Sequence, residues 1–142
     1  MAGGTYTLVL SRASDGAVEV GALGPLDFPA DWYAYTGSAL GPGGFARVDR
    51  HRAVARGEND ARHWHVDYLL GDPATSVERV VTTTADIECA VARRLVDAVG
   101  GAVPDFGCSD CGCASHLVGC AERATLVTAV ERAHDGAAES GG

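Results

Sequence analysis

Apolar and polar positions along this chain follow two different periods, and the switches between them divide it into elements. Thr5-Tyr6-Thr7-Leu8-Val9-Leu10, bounded by Gly4 and Ser11, is rich in β-formers and predicts a strand. After a turn at Ser14-Asp15-Gly16, Val18, Val20 and Ala22 alternate with Glu19 and Gly21, so Ala17 to Leu23 predicts a second strand in hairpin with the first. Gly24-Pro25 and Pro29-Ala30-Asp31 are breakers, and the aromatic run Trp32 to Thr36 predicts a half-buried third strand. Gly41-Pro42-Gly43-Gly44 must be a loop, and a helix over about 44–56 follows, ending near Gly57.

Farther on, Trp64, Val66, Tyr68 and Leu70 alternate with His63, His65 and Asp67, which predicts a strand; a short helix is the alternative. Gly71-Asp72-Pro73 turns the chain into a Val- and Thr-rich strand from Ser76 to Thr84. Thr83 or Thr84 then caps a helix reaching about Val99, with Ile87, Val91, Leu95 and Ala98 as its buried stripe. Ala121 to Ala133 predicts a last helix, with Leu126, Val127 and Val130 inward. Residues 136–142 are expected to be a disordered tail behind a single domain spanning 1–135.

Composition narrows the function more than the fold. No apolar run approaches membrane-spanning length and no secretory signal opens the chain, so the expectation is a cytoplasmic protein without a membrane partner. The net charge is -8, and all 11 basic residues are Arg. That balance, with abundant Ala, Gly, Val, Asp and Glu, resembles proteins of salt-loving archaea. It argues against a generic nucleic-acid coat, which would be basic overall. A local basic site remains open, because Arg47, Arg50, Arg52, Arg56 and Arg62 fall close together against Asp49, Glu58 and Asp60. The plainer account of these residues is a solvated helix face and a charged loop.

The chemistry concentrates where the third strand ends. Tyr35, Gly37 and Ser38 stand at that end, and on the following helix Arg47, Arg50 and His51 are spaced to share one face. A phenol, two guanidiniums and an imidazole beside a glycine turn suit an anionic substrate such as a phosphodiester. His63, His65 and Asp67 on one strand face would offer metal ligands, or else hold a loop through hydrogen bonds. Glu88 sits in a first helical turn, where the helix dipole favours a carboxylate whatever its role.

Gly4-Thr5-Tyr6 and Tyr35-Thr36-Gly37, followed by Arg47 and His51, resemble the motifs of the GIY-YIG nuclease superfamily, and Tyr35-x-Gly37-Ser38-Ala39, Arg47-x-x-Arg50-His51, His65-x-Asp67-Tyr68-Leu69, Glu88-Cys89 and Phe106-Gly107-x-Ser109-Asp110-Cys111-x-Cys113-x-Ser115-His116-Leu117 resemble one branch of it. The nearer likeness is to its archaeal and bacterial branch, domain of unknown function 123. That resemblance implies an α+β fold, a small mostly antiparallel sheet flanked by helices. It implies cleavage of phosphodiesters in DNA, with RNA left open, by one divalent ion, Mg2+ or Mn2+, held by Glu88. Tyr6 and Tyr35 become the paired tyrosines, one of them the general base. Arg47 becomes the arginine that meets the phosphate, and His51 a proton-transfer or orienting group. Gly37, Ser38, Arg50 and His65 are the expected substrate contacts. In some archaea the domain is joined to an endonuclease III-like DNA glycosylase, which implies DNA repair and a glycosylase partner.

The chain departs from the superfamily pattern in three places. Thr5 stands where Ile is usual, the Tyr6-to-Tyr35 gap is long enough for an inserted strand pair, and the helix of Glu88 lacks the familiar asparagine. A phenol ordinarily titrates about 3 units above neutral pH, so a tyrosine base needs help from its surroundings. Two other classes therefore stand beside the nuclease: a nucleic-acid-binding module without cleavage, and a metal-binding domain serving a partner repair enzyme. Cys108, Cys111, Cys113 and His116 supply four ligands of the types zinc prefers, or else a packed loop with reduced thiols.

Overall fold

The computed structural model of the chain describes residues 3–13, 16–39, 44–59, 65–103, 106 and 115–140. Four strands form the main sheet: β1 (Gly4–Arg12), β4 (Trp32–Ala39), β5 (Thr75–Thr83) and β6 (Leu117–Cys120). Their order is β5-β1-β4-β6, and every neighbouring pair is antiparallel. Between β1 and β4 the chain makes a separate two-stranded sheet from β2 (Ala17–Glu19) and β3 (Pro25–Asp27). Among the described residues, four α-helices flank the sheets: α1 (Ala46–Ala55), α2 (His65–Leu70), α3 (Glu88–Val99) and α4 (Arg123–Ser140). No helix among the described residues is long and apolar enough to cross a membrane.

The central strand explains the architecture. In β1, Tyr6, Leu8 and Leu10 face a core shared with Val48 and Val54 of α1 and Val66, Leu69 and Leu70 of α2. Its other face sends Val9 to a second core with Val91 and Leu95 of α3 and Leu126 and Val130 of α4. A strand covered on both faces has to satisfy every polar group it buries, and Thr5 and Thr7 beside Val9 do so by hydrogen bonds to Ala85, Thr36 and His134. It therefore needs long partners on both edges, and it pairs with β4 over Gly4–Ser11 and with β5 over Thr5–Arg12. The expected hairpin with Ala17–Leu23 does not form. Ala17 and Glu19 are exposed and the strand is short, which suits the small outlying sheet.

Three further boundaries differ from expectation, each for a reason of packing. Residues 65–70 are a helix, because Val66, Leu69 and Leu70 are buried at helical spacing while Tyr68 is only half-buried. Helix α3 starts at Glu88 because its cap comes from another strand: the Ile87 N–H donates to Thr5 Oγ1 at 3.0 Å, and that hydroxyl donates to the Ala85 carbonyl at 2.8 Å. Its buried face is Ile87, Val91, Ala92 and Leu95, with Ala98 exposed. Helix α4 continues past the expected tail boundary, burying Ala133 and Ala137 as well as Leu126 and Val130, while Val127 is half-buried. Strand β6 is an addition, pairing with Trp32–Tyr35 of β4.

Candidate functional site

The end of the sheet near Gly37 gathers side chains from five elements. Tyr6 lies opposite Gly37 in the β1–β4 register, so its ring crosses that glycine. A Cβ there would sit 2.5 Å from Tyr6 Oη and 2.6 Å from Cζ, which is why the position takes no side chain. Tyr35, two residues earlier on the same face, puts its ring centroid 6.4 Å from that of Tyr6. From α1, His51 is buried against both rings, at 5.5 Å from Tyr6 and edge-on at 6.3 Å from Tyr35. Tyr6 Oη and His51 Nε2 are 2.7 Å apart, a buried hydrogen bond. One turn earlier, Arg47 Nη1 donates to the Ser38 carbonyl at 2.5 Å and ties the first turn of α1 to the end of β4.

Helix α2 brings Asp67 to the far side of His51, with Oδ1 3.5 Å from Nδ1, and neither side chain is more than 1 % exposed. The first residue of α3, Glu88, holds Oε2 3.3 Å from Nδ1 of His116, and its own side chain is 23 % exposed. His116 is buried just before β6, and its carbonyl accepts the Thr36 N–H at 2.9 Å, which places it beside Tyr35. Phe106 closes the aromatic wall, edge-on to Tyr35 at 6.1 Å.

Burial pushes the Tyr6 phenol well above its ordinary value; Tyr35, Glu88 and Asp67 push the same way, and Arg47 opposes them. Tyr6 therefore keeps its proton at neutral pH.

Of the residues expected from sequence, Tyr6, Tyr35, Gly37, Ser38, Arg47, His51, Glu88 and His116 are thus brought to one end of the sheet. His65 sets its ring 5.6 Å from Phe106 of the aromatic wall, and Arg50 is half-buried on α1. The strand face of His63, His65 and Asp67 does not exist: residues 65–70 are helical, Asp67 points to His51, and His63 lies outside the described residues. Cys108, Cys111 and Cys113 also lie outside the described residues, so of the expected zinc ligands only His116 is placed, facing Glu88. Among the described residues no three His, Cys, Asp or Glu side chains are grouped to hold a metal.

Sequence reasoning missed Asp67 as the partner of His51. A signal was available: on a helix, Asp67 falls beside Val66 and Leu70, and a carboxylate on an apolar face calls for a buried partner.

A magnesium or manganese ion would be held here by Glu88. Its carboxylate is a hard oxygen donor and is partly open to solvent. Mg2+ commonly takes one or two carboxylates and fills its other positions with water and substrate phosphate, so this donor set fits.

Residues 5–139 match the family model described as domain of unknown function DUF123. No curated protein and no solved structure matches the chain.

Proposed function

This chain belongs to the DUF123 family, and from that premise we propose that it is a metal-dependent nuclease that hydrolyses phosphodiester bonds in DNA. The observation that carries the proposal is the buried hydrogen bond between Tyr6 and His51 at 2.7 Å, with Arg47 one turn from His51 on α1. Hydrolysis of a phosphodiester needs a proton acceptor for the attacking water, a cation against the developing charge, and stabilisation of the leaving oxygen. The Tyr6–His51 pair accepts the proton, and the guanidinium of Arg47 meets a phosphate oxygen. A divalent ion on Glu88 supplies the remaining charge stabilisation when bound. The glycosylase fusions of the resembling branch support DNA repair as the setting and an endonuclease III-like enzyme as the partner.

One observation favours a second reading. Tyr6 and His51 are each 1 % exposed, so the pair also serves as an internal brace. A module that grips nucleic acid through Arg47 and Arg50 without cutting would need no more than that.

Labelled single-stranded, duplex, flap and branched DNA, incubated with the protein in KCl and Mg2+ or Mn2+, separates the two. For the nuclease, cutting is expected on at least one substrate. It disappears with EDTA and in Arg47→Ala at unchanged fold, and Glu88→Gln loses its dependence on the metal. Binding without cutting on every substrate would establish the binding module, whereas wild-type rates in Arg47→Ala or an unchanged magnesium titration in Glu88→Gln would overturn the assigned roles.

A further inference from the structure

Behind Tyr6 stands a line of three buried groups, of which the nuclease reading uses only two. Tyr6 Oη meets His51 Nε2 at 2.7 Å, and on the opposite side of the imidazole Nδ1 faces Asp67 Oδ1 at 3.5 Å. Tyr6, His51 and Asp67 come from β1, α1 and α2, three elements that meet in one core. Their exposures are 1 %, 1 % and 0 %. A carboxylate carried into an apolar core on a six-residue helix is costly unless it meets a donor or a positive charge. Among the described residues, Tyr6 of β1, Tyr35 of β4 and Asp67 of α2 face the imidazole, with Arg47 one turn away on α1 itself.

A neutral imidazole has one N–H and one lone pair, and the hydrogen bond at one nitrogen decides which nitrogen holds the proton. At 3.5 Å the Asp67 contact is electrostatic rather than a hydrogen bond, and the charge of the carboxylate favours the proton on Nδ1 and leaves Nε2 as an acceptor. The Tyr6 hydroxyl, which keeps its proton, then has to be the donor in the 2.7 Å bond.

We propose that Asp67 is a positioning residue that fixes His51 as the Nδ1–H tautomer, so that Tyr6 acts as a neutral proton shuttle between an attacking water and His51. In the step, an O–H bond of water breaks and its proton goes to Tyr6 Oη, while the Tyr6 proton passes to His51 Nε2. The water oxygen bonds to phosphorus and the phosphorus–oxygen ester bond breaks. The departing alkoxide takes a proton from solvent, and the imidazolium returns its proton to solvent through Tyr6. Asp67 keeps its charge throughout and stabilises the imidazolium. No phenolate forms, so the high proton affinity of the buried phenol is no obstacle.

The catalytic half of this proposal rests on the nuclease reading, whereas the tautomer does not. The first measurement is therefore the pattern of imidazole 15N–1H correlations of His51 in the whole, metal-free protein, assigned by comparison with His51→Gln. Nδ1 protonated and Nε2 bare is expected; the reverse overturns the proposal at once. Asp67→Asn keeps the side-chain shape but can offer its own N–H to Nδ1, so there His51 is expected to move to the Nε2–H tautomer. An unchanged tautomer in that variant would remove Asp67 from the relay. On labelled flap DNA with Mn2+, Asp67→Asn should lower kcat about a hundredfold or more with KM little changed, as loss of one general-base component does. A rise in KM at constant kcat would overturn the shuttle. Should wild-type protein show the expected tautomer but cut nothing, the nuclease reading and the shuttle fall and the Asp67–His51 assignment stands.

Discussion

Gly37 is the residue where a single carbon decides whether the site can assemble. Its missing side chain leaves room for the Tyr6 hydroxyl, which a Cβ would approach to 2.5 Å. The ring cannot swing aside cheaply, because its hydroxyl is bound to His51 and its body lies in the core. Gly37→Ala is therefore expected to destabilise the protein by about 1–3 kcal/mol, the usual range for forcing extra volume into a packed interior. It should also separate Tyr6 from His51, seen as a shift of the His51 imidazole resonances larger than those of the other histidines. An unchanged melting temperature and spectrum would mean that Tyr6 is held less firmly than its contacts indicate. At this scale the sequence was legible wherever residue type and order carried the information: Tyr6, Tyr35, Gly37, Arg47, His51 and Glu88 converge as expected. Asp67 was hidden because its role depends on α2 lying against α1. Thr5 was hidden because it caps a helix 82 residues away, a relation no local pattern records.

Helix α4, packed through Leu126, Val130, Ala133 and Ala137, is also tied to the sheet through a titratable group. His134 is buried on its inner face, with Nε2 2.8 Å from Thr7 Oγ1 and Nδ1 2.8 Å from Thr83 Oγ1. Thr7 in turn meets Thr36 at 3.0 Å, so the helix is fastened to β5, β1 and β4 through one imidazole. Burial holds His134 below its ordinary value of 6.5, and the nearby Asp135 opposes that only in part. The unfolded chain therefore binds a proton at this site sooner than the folded one as pH falls. Stability is fully present above about 6.5 and drops on acidification until the folded value is passed. Urea midpoints measured from pH 7.5 down to pH 5 should fall more steeply in wild type than in His134→Gln; parallel slopes would assign the acid sensitivity elsewhere. Period alone identified β1, β4, β5, α1, α3 and most of α4. It failed at residues 65–70, where six residues satisfy both periods and only the neighbouring core chooses the helix. It also failed at the end of α4, where Ala137 is held by packing against a core that local propensity does not see.

For the molecule as a whole, the controlling quantity is the charge of -8, reached with 19 acidic and 11 basic residues. Excess charge of one sign opposes the compact state by self-repulsion, and salt relieves it. Screening also weakens the attractive pairs, so the outcome depends on which is larger. The exposed pairs Arg56–Glu58 and Arg79–Glu131, at 3.0 and 2.8 Å, are of a kind worth about 0–1 kcal/mol each. Arg12, whose side chain is 1 % exposed, meets Asp72 and donates to Thr75 Oγ1 at 2.8 Å, so screening barely reaches it. Repulsion summed over a surface with this excess of acid is expected to be the larger salt-sensitive quantity. The melting temperature is expected to rise between about 0.1 and 1 M KCl, as the Debye length shrinks from about 10 to 3 Å. Affinity for DNA should move the opposite way over the same range, because contacts to phosphate release counterions. Cleavage at fixed DNA would then pass through a maximum at intermediate salt, set by stability on one side and binding on the other. A melting temperature that is flat or falls with KCl would show that the acidic surface is already neutralised within the fold. The maximum would then be replaced by a monotonic loss of activity.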